Sequence, residues 1–192
     1  MSVWTAAVEG DSDVAVLAAV LRSSGHELAR HHVCGGKGRL DQRLPGYAAA
    51  AEWSPWIVLR DLDQDAVCAP AWLERWPTSV RSGWVRLAVR AVEAWLLADR
   101  AAAAAWLSIP VGKVPRDVES VPDPKRLLQS LALASRSARI RADVVPRGSA
   151  TIGPGYVDQV RSYCAERWRP QVAAAGSDSL RRLLLRLERT RS

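Results

Sequence analysis

The stretch "PWIVLRDLDQD", residues 55–65, sets an apolar run, Ile57-Val58-Leu59, between a proline and a cluster of charge. A short apolar run bounded in this way suits a strand covered on both faces, as in a parallel sheet. The run ends in three acids within five residues, Asp61, Asp63 and Asp65. Ligand sites of parallel sheets form outside the carboxyl ends of the strands, where these acids fall. In an extended segment Asp61 and Asp63, at i and i+2, point the same way, about 6–7 Å apart at the backbone. Two hard oxygen donors at that spacing suit Mg²⁺, which takes one or two carboxylates and keeps waters. Acids also end many strands with no ligand involved, so the pair gains weight only beside its neighbours.

Working outward, "VWTAAV" (3–8) is a second buried strand, and it stops at Glu9-Gly10. "DSDVAVLAAVLRSSG" (11–25) has apolar residues at helical spacing, cap-type residues at its start and Gly25 at its end. "ELARHHVCGGKG" (27–38) is a strand running into a glycine-rich turn. "RLDQRLPGYAAAAEW" (39–53) is helical and is expected to break near Pro45-Gly46. Downstream lie a short helix in "CAPAWLERW" (68–76), a fourth strand in "GWVRLAVR" (83–90) and helix in "AVEAWLLADRAAAAAWL" (91–107). Asp99 is placed to cap a second helix within that last segment. The alternation predicts an α/β fold with a mainly parallel, Rossmann-like sheet of about four strands flanked by helices.

From residue 108 the texture changes. Prolines punctuate the chain up to a helix starting near Pro124, and "VVPRGSATIGPGY" (144–156) reads as a long loop. "VDQVRSYCAERW" (157–168) and "SDSLRRLLLRLERT" (177–190) are helical, the last with a stripe of Leu180, Leu183, Leu184 and Leu187. The expected organisation is an α/β domain over 1–107 and a basic, mostly helical extension over 108–192 packed on it.

Charge divides along the same line. The net charge is +7, but residues 1–100 hold 11 Lys+Arg against 12 Asp+Glu, and residues 101–192 hold 16 against 8. A basic half suits a phosphate-bearing partner, nucleic acid foremost. Cys34, Cys68 and Cys164 lie far apart without a CxxC pair, which supports neither a disulfide framework nor a zinc site and fits a reducing cytoplasm. The start has no signal-peptide pattern and no apolar run has the ~18 residues of a membrane span.

Several side chains join the acids on the expected functional face. Glu9 ends the first strand. Lys37 sits in the glycine turn after the second, where backbone N–H groups and its ammonium can meet a phosphate. Lys125 and Arg147 are phosphate-contact candidates from the basic half. Arg60 points opposite to Asp61 on the strand. His26, His31 and His32 lack metal-ligand spacing and read as surface or strand-edge residues. Among the nine Trp, Trp53, Trp56, Trp72, Trp76, Trp95 and Trp106 lie at apolar-periodic positions and are expected in the core.

"VEGDSDVAVLAAVL" followed by "IVLRDLDQD" resembles the TOPRIM domain, the metal-binding module of topoisomerases, bacterial primases and OLD-family nucleases. Together with "GGKGRLD", "VEAWLLAD", "VPDPKRLL" and "IGPGY", these motifs resemble a bacterial TOPRIM-like family, domain of unknown function 4276, over nearly the whole chain. The resemblance implies phosphodiester chemistry with Mg²⁺ or Mn²⁺. Glu9 would be the general acid or base and Asp61 and Asp63 the metal-holding pair. Glu93 is the candidate for a second metal, and Asp13 and Asp65 are accessory acids. It implies a nuclease, with anti-phage defence beside a separate ATPase as its setting. The alternative is a non-catalytic TOPRIM-like module that binds nucleic acid or protein.

Overall fold

The structure, a computed structural model, describes residues 2–82 and 84–190. Val3–Val8 (β1), Glu27–Val33 (β2), Trp56–Asp61 (β3) and Val85–Ala88 (β4) form one sheet of order β2-β1-β3-β4, parallel throughout. Gly83, at the start of the fourth expected strand, lies outside the described residues. The two central strands are β1 and β3, so the residues that end them, Glu9 and Asp61, are neighbours across the sheet. This sheet, flanked by helices on both faces, is the expected α/β architecture.

The apolar runs at the centre are explained by the two-residue period of a strand. Ala6, Val8, Ile57 and Leu59 face one core, while Ala7 and Val58 face the other. The first core is closed by Asp11–Ser23 (α1), Val92–Ala98 (α5) and Arg100–Trp106 (α6). Pro124–Leu133 (α7), Ala138–Val144 (α8), Tyr156–Glu166 (α9), Pro170–Ala173 (α10) and Asp178–Glu188 (α11) complete it. The helices beyond residue 108 thus bury their apolar faces in the same core as the sheet. Asp99 caps α6 by accepting from the Ala102 N–H at 3.3 Å, and it also receives two 2.8 Å bonds from Arg169. The second core is closed by Lys37–Ala50 (α2), Ala69–Leu73 (α3) and Thr78–Ser82 (α4).

Three expectations are corrected. The α2 helix runs unbroken through Pro45. The proline costs one backbone hydrogen bond, but Leu40, Leu44 and Ala48 are buried at i, i+4 spacing and hold the helix on the sheet. His26 is buried, not at the surface, and its Nε2 donates to the Leu187 carbonyl of α11 at 3.1 Å. Trp72, Trp95 and Trp106 are core residues, but Trp53 is 88% exposed, because the turn after α2 carries it outward. No helix among the described residues is long and apolar enough to cross a membrane.

Candidate functional site

At the carboxyl end of the sheet four carboxyl side chains converge from four elements. Glu9, just past β1, reaches across to the next strand, where its Oε1 accepts the Asp61 N–H at 2.9 Å. Asp13, in the first turn of α1, accepts the Gly10 N–H at 2.8 Å, which satisfies one of the free donors at that helix start. Asp61, the last residue of β3, accepts the Val92 N–H at 3.0 Å, so the strand end and the start of α5 are tied together by the side chain itself. Glu93, in that first turn of α5, is fully buried. Its Oε1 accepts the Tyr156 hydroxyl at 2.6 Å and lies 3.5 Å from Lys125 Nζ. Its Oε2 has no hydrogen-bond partner among the described residues.

Burial and mutual repulsion govern the charge of this group. Burial, opposed by the Asp61 N–H and Arg60 and reinforced by Asp13 and Asp63, pushes Glu9 from 4.5 to about 7. Asp13 is raised from 3.8 to about 6 by burial first and by Glu93 second. Burial, then Glu93, Asp13 and Glu9, hold Asp61 well above the carboxylate range. The Lys125 ammonium is stabilised above its ordinary value by Glu93 foremost, against its own burial, with help from Asp61 and Asp13. Burial and the Glu93 charge raise the Tyr156 phenol, so it stays a donor.

The DLD pair departs from its expected geometry. β3 ends at Asp61, and Asp63 sits at φ +48°, in the left-handed region that Asp tolerates better than most residues. Its N–H donates to the Arg90 carbonyl at 2.7 Å, while the Arg90 guanidinium donates back to the Asp63 and Ala66 carbonyls at 2.9 and 3.0 Å. The turn therefore sends the two carboxylates to different partners. Asp61 joins the buried acids, and Asp63 is half-exposed and paired with Lys37 at 2.8 Å.

Asp65 is drawn into a cationic setting instead. It bonds Lys37 at 3.0 Å and Arg60 at 2.6 Å, and these two cations outweigh burial and hold its carboxyl below the ordinary range. The Arg60 side chain leaves the opposite face of β3 from that of Asp61, as expected, although its guanidinium turns back to donate to the Asp61 carbonyl. It is buried, donates to both Asp41 oxygens at 2.8 and 2.9 Å and lies over the Trp72 ring at 4.6 Å. A cleft of about 360 Å³ opens over the site, with Lys37, Asp61, Asp63, Asp65 and Lys125 on its wall. Arg147 is not part of it; it is exposed, and its guanidinium bonds the Ala142 carbonyl.

As the side chains stand, no group of three or more acids, His or Cys among the described residues is placed to hold a metal ion. The donor set nonetheless fits a divalent cation in chemistry and charge. The donors are all carboxyl oxygens, three of the groups (Asp13, Asp61 and Glu93) face Lys125 and Glu9 has Arg60 as its cation, and Glu93 Oε2 is a buried oxygen left without a donor among the described residues.

Two contributors were not foreseen as site residues. Tyr156 holds Glu93 from the start of α9, and the signal for it is the "GPG" just before. A side chain at Gly153 would put its Cβ 2.3 Å from the Asp143 carbonyl, and one at Gly155 would lie 2.7 Å from Asp143 Cβ. Only glycine lets the loop pass that close to α8 and deliver the phenol. Asp41, the counter-ion of Arg60, ends the "GGKGRLD" motif, but the resemblance implies no role for it. Compared with protein-family models, curated proteins and solved structures, the chain matches none.

Proposed function

We propose that the chain is a Mg²⁺- or Mn²⁺-dependent nuclease of TOPRIM type, hydrolysing phosphodiester bonds of DNA or RNA over the acidic cluster. The observation that supports this is the convergence of Glu9, Asp13, Asp61 and Glu93 at the carboxyl end of a parallel sheet, with Glu93 Oε2 unpartnered among the described residues. Buried like charges disfavour one another and persist where an incoming cation relieves them. Asp61, Glu93 and Asp63 are the residues that would hold the cation. Bound there, such an ion would supply neutralisation of charge on phosphate oxygens and would acidify a water. Glu9, with its proton held near neutrality, is suited to take or return that proton. Lys37 and Lys125, on the cleft wall, are suited to hold the phosphates.

A non-catalytic module that binds nucleic acid or protein is the second reading, and Lys125 favours it. Its ammonium already supplies positive charge to the buried acids. Incubation with labelled single- and double-stranded DNA and RNA in Mg²⁺ or Mn²⁺ separates the two. The nuclease reading expects metal-dependent products that Asp61→Asn and Glu9→Gln reduce at least about a hundredfold. Equal cleavage by all three proteins, or none by any, leaves the binding module. A cytoplasmic role in anti-phage defence with a separate ATPase rests on the resemblance to OLD-family nucleases, and an ATPase retained by the tagged protein from its native cells would support it.

A further inference from the structure

Away from the acids, the α2 helix and the edge strand β2 enclose a stripe of cations and rings that the site does not use. It begins beside Lys37, at the amino end of α2, and follows that helix toward the opposite end of the sheet. A side chain at Gly35 would meet Arg39 Nη1 at 3.2 Å, which places Arg39 against the end of β2. One turn on, Arg43 is fully exposed and hydrogen-bonded to Tyr47. Tyr47 in turn meets Cys34 Sγ at 3.4 Å. Beyond it the Tyr47 and Trp56 rings lie 5.3 Å apart at 25°, and the His32 and Trp56 rings 5.4 Å apart at 14°. His32 and Tyr47 are 6.3 Å apart. A straight column of three would put those two about twice as far apart, so the stacking is offset; each ring covers part of its neighbour's face, and His32 stays exposed while Tyr47 and Trp56 stay partly so. Arg30 follows on the same face of β2, since Arg30 pairs with Thr5 and His32 with Ala7.

Every cation of this stripe is exposed and Tyr47 and Trp56 are partly so. The acid nearest in sequence, Asp41, sits between Arg39 and Arg43 on α2 but is held by the buried Arg60 at 2.8 and 2.9 Å; Glu27 and Glu52 lie beyond the far end, at the start of β2 and in the turn before β3. From Lys37 to Tyr47 the helix rises about 15 Å. Cations in a row followed by accessible rings are what an unpaired polynucleotide requires, because phosphates need the charge and unstacked bases need a flat apolar partner. A duplex hides its base faces and would leave the rings idle. Self-pairing through β2 is the competing use of an open edge, and two features oppose it. The strand carries Arg30, His31 and His32 on that edge and is irregular between its pairs to Trp4 and Thr5.

We infer that Arg39, Arg43, Tyr47, Trp56, His32 and Arg30 form a track for single-stranded nucleic acid leading to the acidic site. The track rests on the proposed nuclease reading only for what lies at its upper end; the binding itself does not depend on cleavage.

The test is fluorescence anisotropy of labelled oligothymidylate with the full chain in EDTA, so that no hydrolysis occurs. The reference is the triple variant His32→Ala/Arg39→Ala/Arg43→Ala, whose three sites are exposed. The track expects wild-type binding that weakens about tenfold or more in the triple variant, with a log–log salt slope shallower by about one. Tyr47→Leu, which keeps every charge, should weaken binding while leaving that slope unchanged. Absent wild-type binding, equal affinity of wild type and triple variant, or equal preference for a duplex of the same sequence would each overturn it. So would a wild-type dimer that the triple variant abolishes, which would assign the face to self-association. Binding lost in the triple variant of a chain that cleaves nothing sinks the nuclease reading alone. Unchanged cleavage and binding by the triple variant sinks the track alone.

Discussion

Replacing Asp13 by Asn should stabilise the protein, and the gain should grow with pH. Asp13 is buried at the start of α1, and burial with the Glu93 charge raises it from 3.8 to about 6. The folded carboxyl therefore holds its proton more tightly than the unfolded chain does. Stability falls as pH rises from about 3.8 through about 6, and above that the full penalty is present. The difference between the two values corresponds to about 3 kcal/mol at pH 8, and to well under 1 kcal/mol at pH 4. An amide at this position can still accept the Gly10 N–H but carries no charge, so Asn removes the penalty and keeps most of the cap. For a chain of this size that is a rise in Tm of up to about 10 °C at pH 8, shrinking to a degree or two at pH 4. Thermal unfolding followed by circular dichroism at the two pH values measures it. An ordinary helix-capping Asp, stabilised by the helix dipole, gives the opposite result, a loss of about 1 kcal/mol that grows as the group ionises. A destabilised Asp13→Asn protein at pH 8 would refute the picture of a repulsive, desolvated acid cluster.

Other consequences follow from individual contacts. Tyr156→Phe removes the hydroxyl that Glu93 Oε1 accepts at 2.6 Å and should cost about 1.5–3 kcal/mol in urea denaturation. Arg60→Ala strips the buried guanidinium from Asp41 and Asp65 and empties the space over Trp72; a loss of about 3–5 kcal/mol is expected by the same method. Gly153→Ala forces a Cβ into the Asp143 carbonyl and should cost about 1–3 kcal/mol, whereas Gly46→Ala, with nothing within 4 Å, should be neutral or mildly stabilising.

What the sequence could disclose followed from local periodicity. The strands at 3–8 and 56–61 announced themselves as short apolar runs stopped by charge, and parallel order then placed Glu9 and Asp61 at one end of the sheet. Asp13 and Glu93 were legible as acids in the first turns of their helices. The φ of Asp63 was not, because the turn is held by Arg90, in the segment after β4. Tyr156 reaches Glu93 across 63 positions, and His26 finds the Leu187 carbonyl across 161. Contacts of that range leave no periodic trace. Pro45 read as a break because its local penalty is visible, while the burial of Leu40, Leu44 and Ala48 that offsets it belongs to the tertiary fold.

The central claim is that the buried acids form a cation centre and not merely a polar core. Titration of Mn²⁺ into the protein at about pH 8, read by the loss of the free-ion paramagnetic resonance signal, tests it most directly. The account predicts saturable binding of one or two ions per chain, competed by Mg²⁺ and weakened at least tenfold by both Asp61→Asn and Glu93→Gln. Binding that is absent, or that both variants leave unchanged, would contradict it.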